Sequence, residues 1–396
     1  MTNRWAVLAL IMAAQVMANV GPLGIPSIAP LIRESLGLSV TQAGSFLSAY
    51  YVGPVLMSLP AGWLADRWGV RGAMILGQAL IAIGLGAVAV APSFSFMIGI
   101  MVLAGAGYGV LNPTTTKAGM AWFPPRQRAT VVGLKQVGLP AGGAVGALVM
   151  PPLALAFGWR TAVAVAAAAV GGLALLTWAL YRDLPEPAAA GPAPEPTGFW
   201  AVMRDRDLWL VGVSTLIFAG VQTVFLSFLV LYLRDVLQIA LVVAAKYLVA
   251  AQASGVAGRV RFGLLSDRLF GGRRRIVLAI AGLGSIGCAV ALSTTAPGAS
   301  PWLLVPLAAS IGFFGVGWNG VQHTLMAELA GPRAAGTAVG LGLAISSLGV
   351  TVCPPIFGLV VERVAGFGAA WAALAASMVL ALLLLIPVRE RPMTTS

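Results

Sequence analysis

Charge is scarce in this chain, and charge of one sign is missing from its apolar stretches. Only 9% of the 396 residues are charged and 59% are hydrophobic, whereas roughly a quarter of an ordinary soluble domain is charged. That much apolar surface exceeds what a water-soluble core hides, which excludes a soluble fold. Every Asp and Glu lies at or beyond the end of an apolar run, whereas the three lysines, Lys117, Lys135 and Lys246, sit inside such runs. An ion in hydrocarbon costs about 3 kcal/mol even on a lenient insertion scale, so an intramembrane charge normally lines a wet cavity and has a task. A path lined by cations and no carboxylates favours an anionic passenger and argues against a pump for cationic compounds.

The other scarcities narrow the classes further. Cys288 and Cys353 both fall within apolar runs without metal-ligand spacing, so they read as small packing residues and say nothing about redox compartment. There is one histidine, His323. No Ser-His pair with an acid, no acid pair and no metal cluster is apparent, which speaks against an intramembrane enzyme and implies no cofactor. The net charge of +12 would suggest nucleic acid if it were gathered on one domain, but the arginines are spread over many short loops. They set topology instead. With a cytoplasmic amino terminus, only Arg33, Arg160, Arg234 and Arg363 face outward. The clusters Arg67/Arg71, Arg126/Arg128, Arg204/Arg206, Arg268 with Arg273 to Arg275, and Arg389/Arg391 all face inward. This bias predicts a protein integral to the cytoplasmic membrane with both termini inside.

What is present is a succession of apolar runs of about 20 residues, the length that crosses ~30 Å of hydrocarbon. The first reads as an uncleaved helix, because it continues through Ile28 without a convincing small-residue cleavage site. The runs predict an all-α integral membrane fold with helices at about 5–29, 41–62, 72–91, 95–121, 129–151 and 161–181. After a break they continue at about 208–233, 240–262, 275–295, 301–329, 336–358 and 368–387. The expected organisation is a six-helix bundle over 1–181, a linker over 182–207 and a second six-helix bundle with a short tail over 208–396. The linker carries Pro185, Pro187, Pro192, Pro194 and Pro196 among alanines, a composition that stays extended. Its end, Phe199 to Arg204, mixes aromatic and basic residues suited to the inner membrane surface.

The two halves repeat one another. Gly62-Trp63-Leu64-Ala65-Asp66-Arg67-Trp68-Gly69-Val70-Arg71 returns as Gly263-Leu264-Leu265-Ser266-Asp267-Arg268, followed by Gly271 and Arg273. Pro125-Arg126, Thr130 and Gly133-Leu134 return as Pro332-Arg333, Thr337 and Gly340-Leu341. Equivalent halves with a site between them are how alternating-access carriers are built. The loop from Gly62 to Arg71 resembles the loop between helices 2 and 3 of the major facilitator superfamily, and the second copy, the twelve helices and the central linker fit as well. The resemblance implies a rocker-switch carrier in which Asp66, Arg67, Arg71, Asp267 and Arg268 belong to charge networks that latch the cytoplasmic side.

Arg259 is the first choice among basic residues for holding substrate. It lies eight residues before Asp267, hence about 12 Å further into the membrane on a continuing helix. The spacing Arg259-x3-Gly263-x3-Asp267 resembles that of the helix 8 arginine in anion-carrying facilitators, and a guanidinium suits a carboxylate or small oxyanion through two parallel hydrogen bonds. The departures narrow the class. Ser58 stands where nitrate porters have a second arginine, and helix 11 lacks the lysine of oxalate exchangers. Carriers of monocarboxylates or cyanate-like anions remain compatible. Lys135, with Gly342 as its repeat counterpart, Lys117, Lys246, Asn112, Asn319, Gln222 and Tyr50 are further candidates for lining a substrate path. His323 is the one side chain whose ordinary pKa lets it carry a proton near neutrality in a membrane without acids. Gly138, Gly142 and Gly146 form a stripe for close helix approach.

The expectation is a secondary carrier of a small organic or inorganic monoanion, with a proton as candidate coupling ion. Its partners are the anion and membrane lipid, not nucleic acid, and it is expected to work as a monomer. The alternative within the same superfamily is a drug exporter, for which Met12, Met17 and Met57 would line an adaptable pocket.

Overall fold

The computed structural model describes residues 3–57, 60–183, 199–331 and 334–390. Most of the expected linker, 184–198, lies outside the described residues, as do Ser58, Pro332 and Arg333 and the side chains of Asp66 and Arg126. All regular structure among the described residues is helical. Among the described residues eleven helices are long and apolar enough to cross a membrane, and the shorter Phe46–Met57 occupies the place of the second expected span.

The first half comprises α1 (Arg4–Leu36), α2 (Val40–Gly44), α3 (Phe46–Met57), α4 (Pro60–Arg67), α5 (Gly69–Ala89), α6 (Phe94–Trp122), α7 (Pro125–Phe157) and α8 (Trp159–Leu180). Then come the short α9 (Phe199–Arg204) and α10 (Arg206–Asp235), α11 (Leu241–Leu264), α12 (Arg274–Thr294), α13 (Pro301–Gly317), α14 (Asn319–Ala330), α15 (Ala335–Val360) and α16 (Gly366–Leu385). The chain divides into two compact units, Met1–Ala190 with Ile239–Val249 and Gly191–Gln238 with Ala250–Ser396.

Local chemistry sets the ends. The Asn3 side chain accepts from Trp5 N at 2.9 Å, and Gly37 closes α1 in the left-handed region at φ 62°, where its N–H reaches Arg33 O. Such a glycine satisfies a helix-end carbonyl without the Cβ clash another residue would meet. Ser39 and Gln42 cap α2 reciprocally. The second span is broken where the sequence predicts one helix over 41–62. It turns at Ser45 and carries Pro54 within α3, where the proline removes one backbone donor without ending the helix. The tenth span divides at Trp318 into α13 and α14.

Lipid tails are as apolar as leucine, so these helices associate by close packing rather than by hiding apolar surface from water. In the first unit α7 lies along α1. A Cβ on Gly142 would sit 2.4 Å from Val16 O, and one on Gly146 would sit 2.2 Å from Val20 O. In the second unit α15 lies along α10 in the same way, and a Cβ on Gly349 would meet Leu216 O at 2.0 Å. Outward faces carry Leu175, Trp178, Leu155 and Ile386, as a lipid-facing surface requires.

Candidate functional site

In the first unit a set of polar side chains on α1, α6 and α7 is joined through Asn112, whose backbone O accepts from both Lys135 Nζ and Thr115 Oγ1. Lys135 is 1% exposed. Its ammonium donates to Asn112 O at 2.7 Å, Asn112 Oδ1 at 2.6 Å and Thr116 Oγ1 at 2.7 Å. Three donors meet three neutral acceptors. Thr115 Oγ1 donates to Leu111 O at 2.8 Å, so its remaining capacity is to accept, and Gln15 Nε2 donates to it at 2.7 Å. Asn19 Nδ2 donates to Gln15 O at 2.7 Å. The amide oxygens of Gln15 and Asn19 are left buried with no hydrogen-bond partner.

The same places in the second unit are filled differently. Residues 15, 112, 116 and 135 correspond to 222, 319, 323 and 342 at a constant offset of 207. The set Gln15, Asn112, Thr116 and Lys135 therefore becomes Gln222, Asn319, His323 and Gly342. With glycine in place of the lysine, no ammonium reaches Asn319. Its amide nitrogen instead donates to Gln222 Oε1 at 2.9 Å and to Val316 O at 3.0 Å. The break at Trp318 presents Asn319 at the first turn of α14, and Trp318 is anchored by its own Nε1 donating to Gly315 O at 3.0 Å. His323 follows one turn later, half-buried, with its Nδ1 unpartnered. Arg259 on α11, also half-buried, lies near enough for its charge to act on His323. The second unit thus brings together Arg259, His323, Asn319 and Gln222, four of the residues singled out from sequence.

The other candidates lie elsewhere. Tyr50 is fully buried, its hydroxyl 3.4 Å from Ala18 O and its ring 5.8 Å from that of Tyr108. Lys117 is half-buried near the end of α6, and Lys246 is exposed on α11. Of the expected latch residues, Arg67 and Arg268 are exposed. Arg71 anchors the end of α8, its backbone N–H donating to Asp183 Oδ1 at 3.0 Å and its guanidinium to Trp178 O. Asp267 pairs with Arg274, which also donates to Ser266 Oγ at 2.9 Å and reaches Glu328 Oε1 at 3.0 Å. Arg274 and Glu328 were legible only as loop and helix-end charges. Their joint role needs the packing of α12 against α14.

Lys135→Met removes the only ammonium from this cage and leaves Asn112 Oδ1 without its donor. An orphaned buried acceptor costs about 1–3 kcal/mol, so the expected result is a fall of about 1–4 °C in Tm of the detergent-purified protein, given an unfolding entropy that scales with the 396 residues. An unchanged or raised Tm would mean that burying the charge outweighs the bonds it makes.

A family model described as the Major Facilitator Superfamily matches residues 6–349. A probable sulfoacetate transporter of Cupriavidus necator is 27% identical over 390 residues, covering 92% of this chain and 89% of that protein. A cis,cis-muconate transport protein of Acinetobacter baylyi is 26% identical over 350 residues, covering 83% and 80%. A hexuronate transporter of Bacillus subtilis is 33% identical over 132 residues, 33% of this chain and 31% of that protein. Among solved structures, the nucleoside transporter NupG superposes with a TM-score of 0.82 at 14% identity, covering 98% of this chain and 100% of that one. An inward-facing bacterial homologue of the lysosomal transporter Spinster does so with a TM-score of 0.78 at 19% identity, covering 97% and 95%. The fold is the two-times-six helical one of these carriers, and the chain belongs to the Major Facilitator Superfamily of membrane transporters.

Proposed function

We propose that this chain carries a small organic anion across the cytoplasmic membrane by alternating access, with one acid group of the passenger held by Arg259. The observation that carries the reading is the unequal use of the repeated polar set. In the first unit Asn112 and Thr116 are closed onto the chain's own Lys135. In the second unit the lysine is Gly342, and Asn319 and His323 stand with Arg259 and Gln222 instead. A guanidinium offers two parallel donors to a carboxylate or sulfonate, and the neutral amides select the rest of the molecule.

Lys135 then acts by position and field rather than by touching substrate, adding positive charge to a bundle whose interior holds no carboxylate among the described residues. His323 is the candidate to move a proton with the anion, whose negative charge would offset that of the nearby Arg259. The named cargoes of the relatives, sulfoacetate, muconate and hexuronate, are organic acids, which favours an organic passenger over an inorganic one.

Thermal stabilisation of the detergent-purified protein against small carboxylates, sulfonates, cyanate, nitrate and hydrophobic cations tests this, since a ligand of the folded state adds RT ln(1 + [L]/Kd). A small carboxylate or sulfonate is expected to raise Tm. A rise with hydrophobic cations alone would replace the reading with that of a drug exporter.

A further inference from the structure

The arginine-rich end of the second unit contains a cavity that plays no part in the anion site. Its volume is about 1160 Å³, and it opens between the start of α12 and the end of α16. Arg273, Arg275 and Arg389 form its rim with Glu390, and Ile276 and Leu382 continue its wall along the two spans. Glu390 is already engaged, accepting from Arg275 N at 2.5 Å. The Arg275 guanidinium donates to Ile386 O at 2.6 Å and to Val388 O, while its Nε is buried with no partner. Arg273 and Arg389 are exposed, and the Arg389 backbone N–H donates to Asp207 Oδ2 at 3.1 Å.

The first unit has the same anchor with a different cover. Arg71 ties its backbone to Asp183 and its guanidinium to Trp178 O, as Arg275 does to Glu390, Ile386 and Val388. There the Trp178 ring lies 5.8 Å from the guanidinium. In the second unit the carbonyl that accepts from Arg275 in this way belongs to Ile386, which has no ring to lay over the guanidinium, and the space beside Arg275 is open.

We infer that this cavity binds an anionic phospholipid, with the phosphodiester on Arg273 and Arg389 beside the charge of Arg275, and an acyl chain along Ile276 and Leu382. Three guanidiniums against Glu390 and the neighbouring Asp207 leave a positive surplus that a zwitterionic headgroup does not match, and a cationic rim above an apolar wall at a membrane boundary is the arrangement that holds such headgroups. A free phosphate would use the rim and leave the wall dry and empty. The inference is independent of the transported substrate.

The test uses the full-length, delipidated protein in detergent with added cardiolipin, phosphatidylcholine or sodium phosphate. Cardiolipin is expected to raise Tm by about 5 °C or more, phosphatidylcholine to have little effect, and Arg273→Gln with Arg389→Gln to remove at least half of the cardiolipin shift. An equal shift with phosphatidylcholine, an undiminished shift in the double variant, or the same shift with sodium phosphate would each overturn the lipid site. If the double variant fails to fold, Ala279→Phe narrows the wall and leaves the rim intact. Native mass spectrometry must then count less bound cardiolipin than on the wild type, and an unchanged count overturns the proposal.

Discussion

Arg259→Ala lowers uptake of the anion at subsaturating concentration by about 30-fold or more, because losing a hydrogen-bonded charge partner in a desolvated site costs about 2–5 kcal/mol. Arg259→Lys retains the charge but not the planar fork, so it falls between wild type and alanine. The defect is one of binding and not of folding. Arg259 is half-buried on α11, and the bundle around it is set by other contacts, such as the close approach of Gly258 to the backbone of Phe313 on α13. Tm without ligand is therefore expected to stay within a few degrees of wild type while anion-dependent stabilisation disappears. Uptake that survives Arg259→Ala would remove this residue from the site and return attention to Lys117 and Lys246.

The largest structural effects are expected at two glycines related by the repeat. An alanine Cβ at Gly105 would stand 1.8 Å from Tyr50 O, and one at Gly312 would stand 1.7 Å from Ala251 O. An ordinary carbon-to-carbonyl approach is about 3.3 Å. The obstruction is backbone in both places, so no side chain can rotate away, and α3 must part from α6 or α11 from α13. Either Gly105→Ala or Gly312→Ala is expected to abolish most of the monodisperse protein seen by size-exclusion chromatography. Gly99→Ala and Gly340→Ala, where a Cβ meets nothing within 4 Å, are expected to be neutral or slightly stabilising, since alanine is the better helix former by about 1 kcal/mol. Equal tolerance at all four positions would contradict the close crossings.

Much of this molecule is legible in its sequence, for a physical reason. A helix in hydrocarbon must satisfy its own backbone, so length and apolarity alone mark each span. The predicted 95–121 and 275–295 appear as Phe94–Trp122 and Arg274–Thr294. The second span was less legible, because its turn falls at Ser45 and not at a proline. Pro22, Pro26 and Pro30 are absorbed within the continuous α1, and Pro54 within α3, since neighbours in a bundle can satisfy the freed backbone groups.

Within the candidate site, sequence identified the residue types but not their commitments. Lys135 read as a cation aimed at a passenger, yet its ammonium is held by Asn112 and Thr116. The offset that relates Thr116 to His323 and Gln15 to Gln222 was present in the sequence. It acquires meaning only when Lys135 is seen to bond across to α6. Arg274 was one basic residue in a run of three, and nothing in that run distinguishes the arginine that joins Asp267 to Glu328 from Arg275, which holds the end of α16.

The central claim is that the passenger is a small organic anion, and counterflow in proteoliposomes tests it most directly. Vesicles carrying the purified chain are loaded with an unlabelled small carboxylate or sulfonate and diluted into a trace of the same labelled compound. Transient accumulation of label for at least one such acid, lost in Arg259→Ala and unaffected by hydrophobic cations, is the predicted result. Accumulation of a labelled hydrophobic cation, with none for any of the acids, would contradict it.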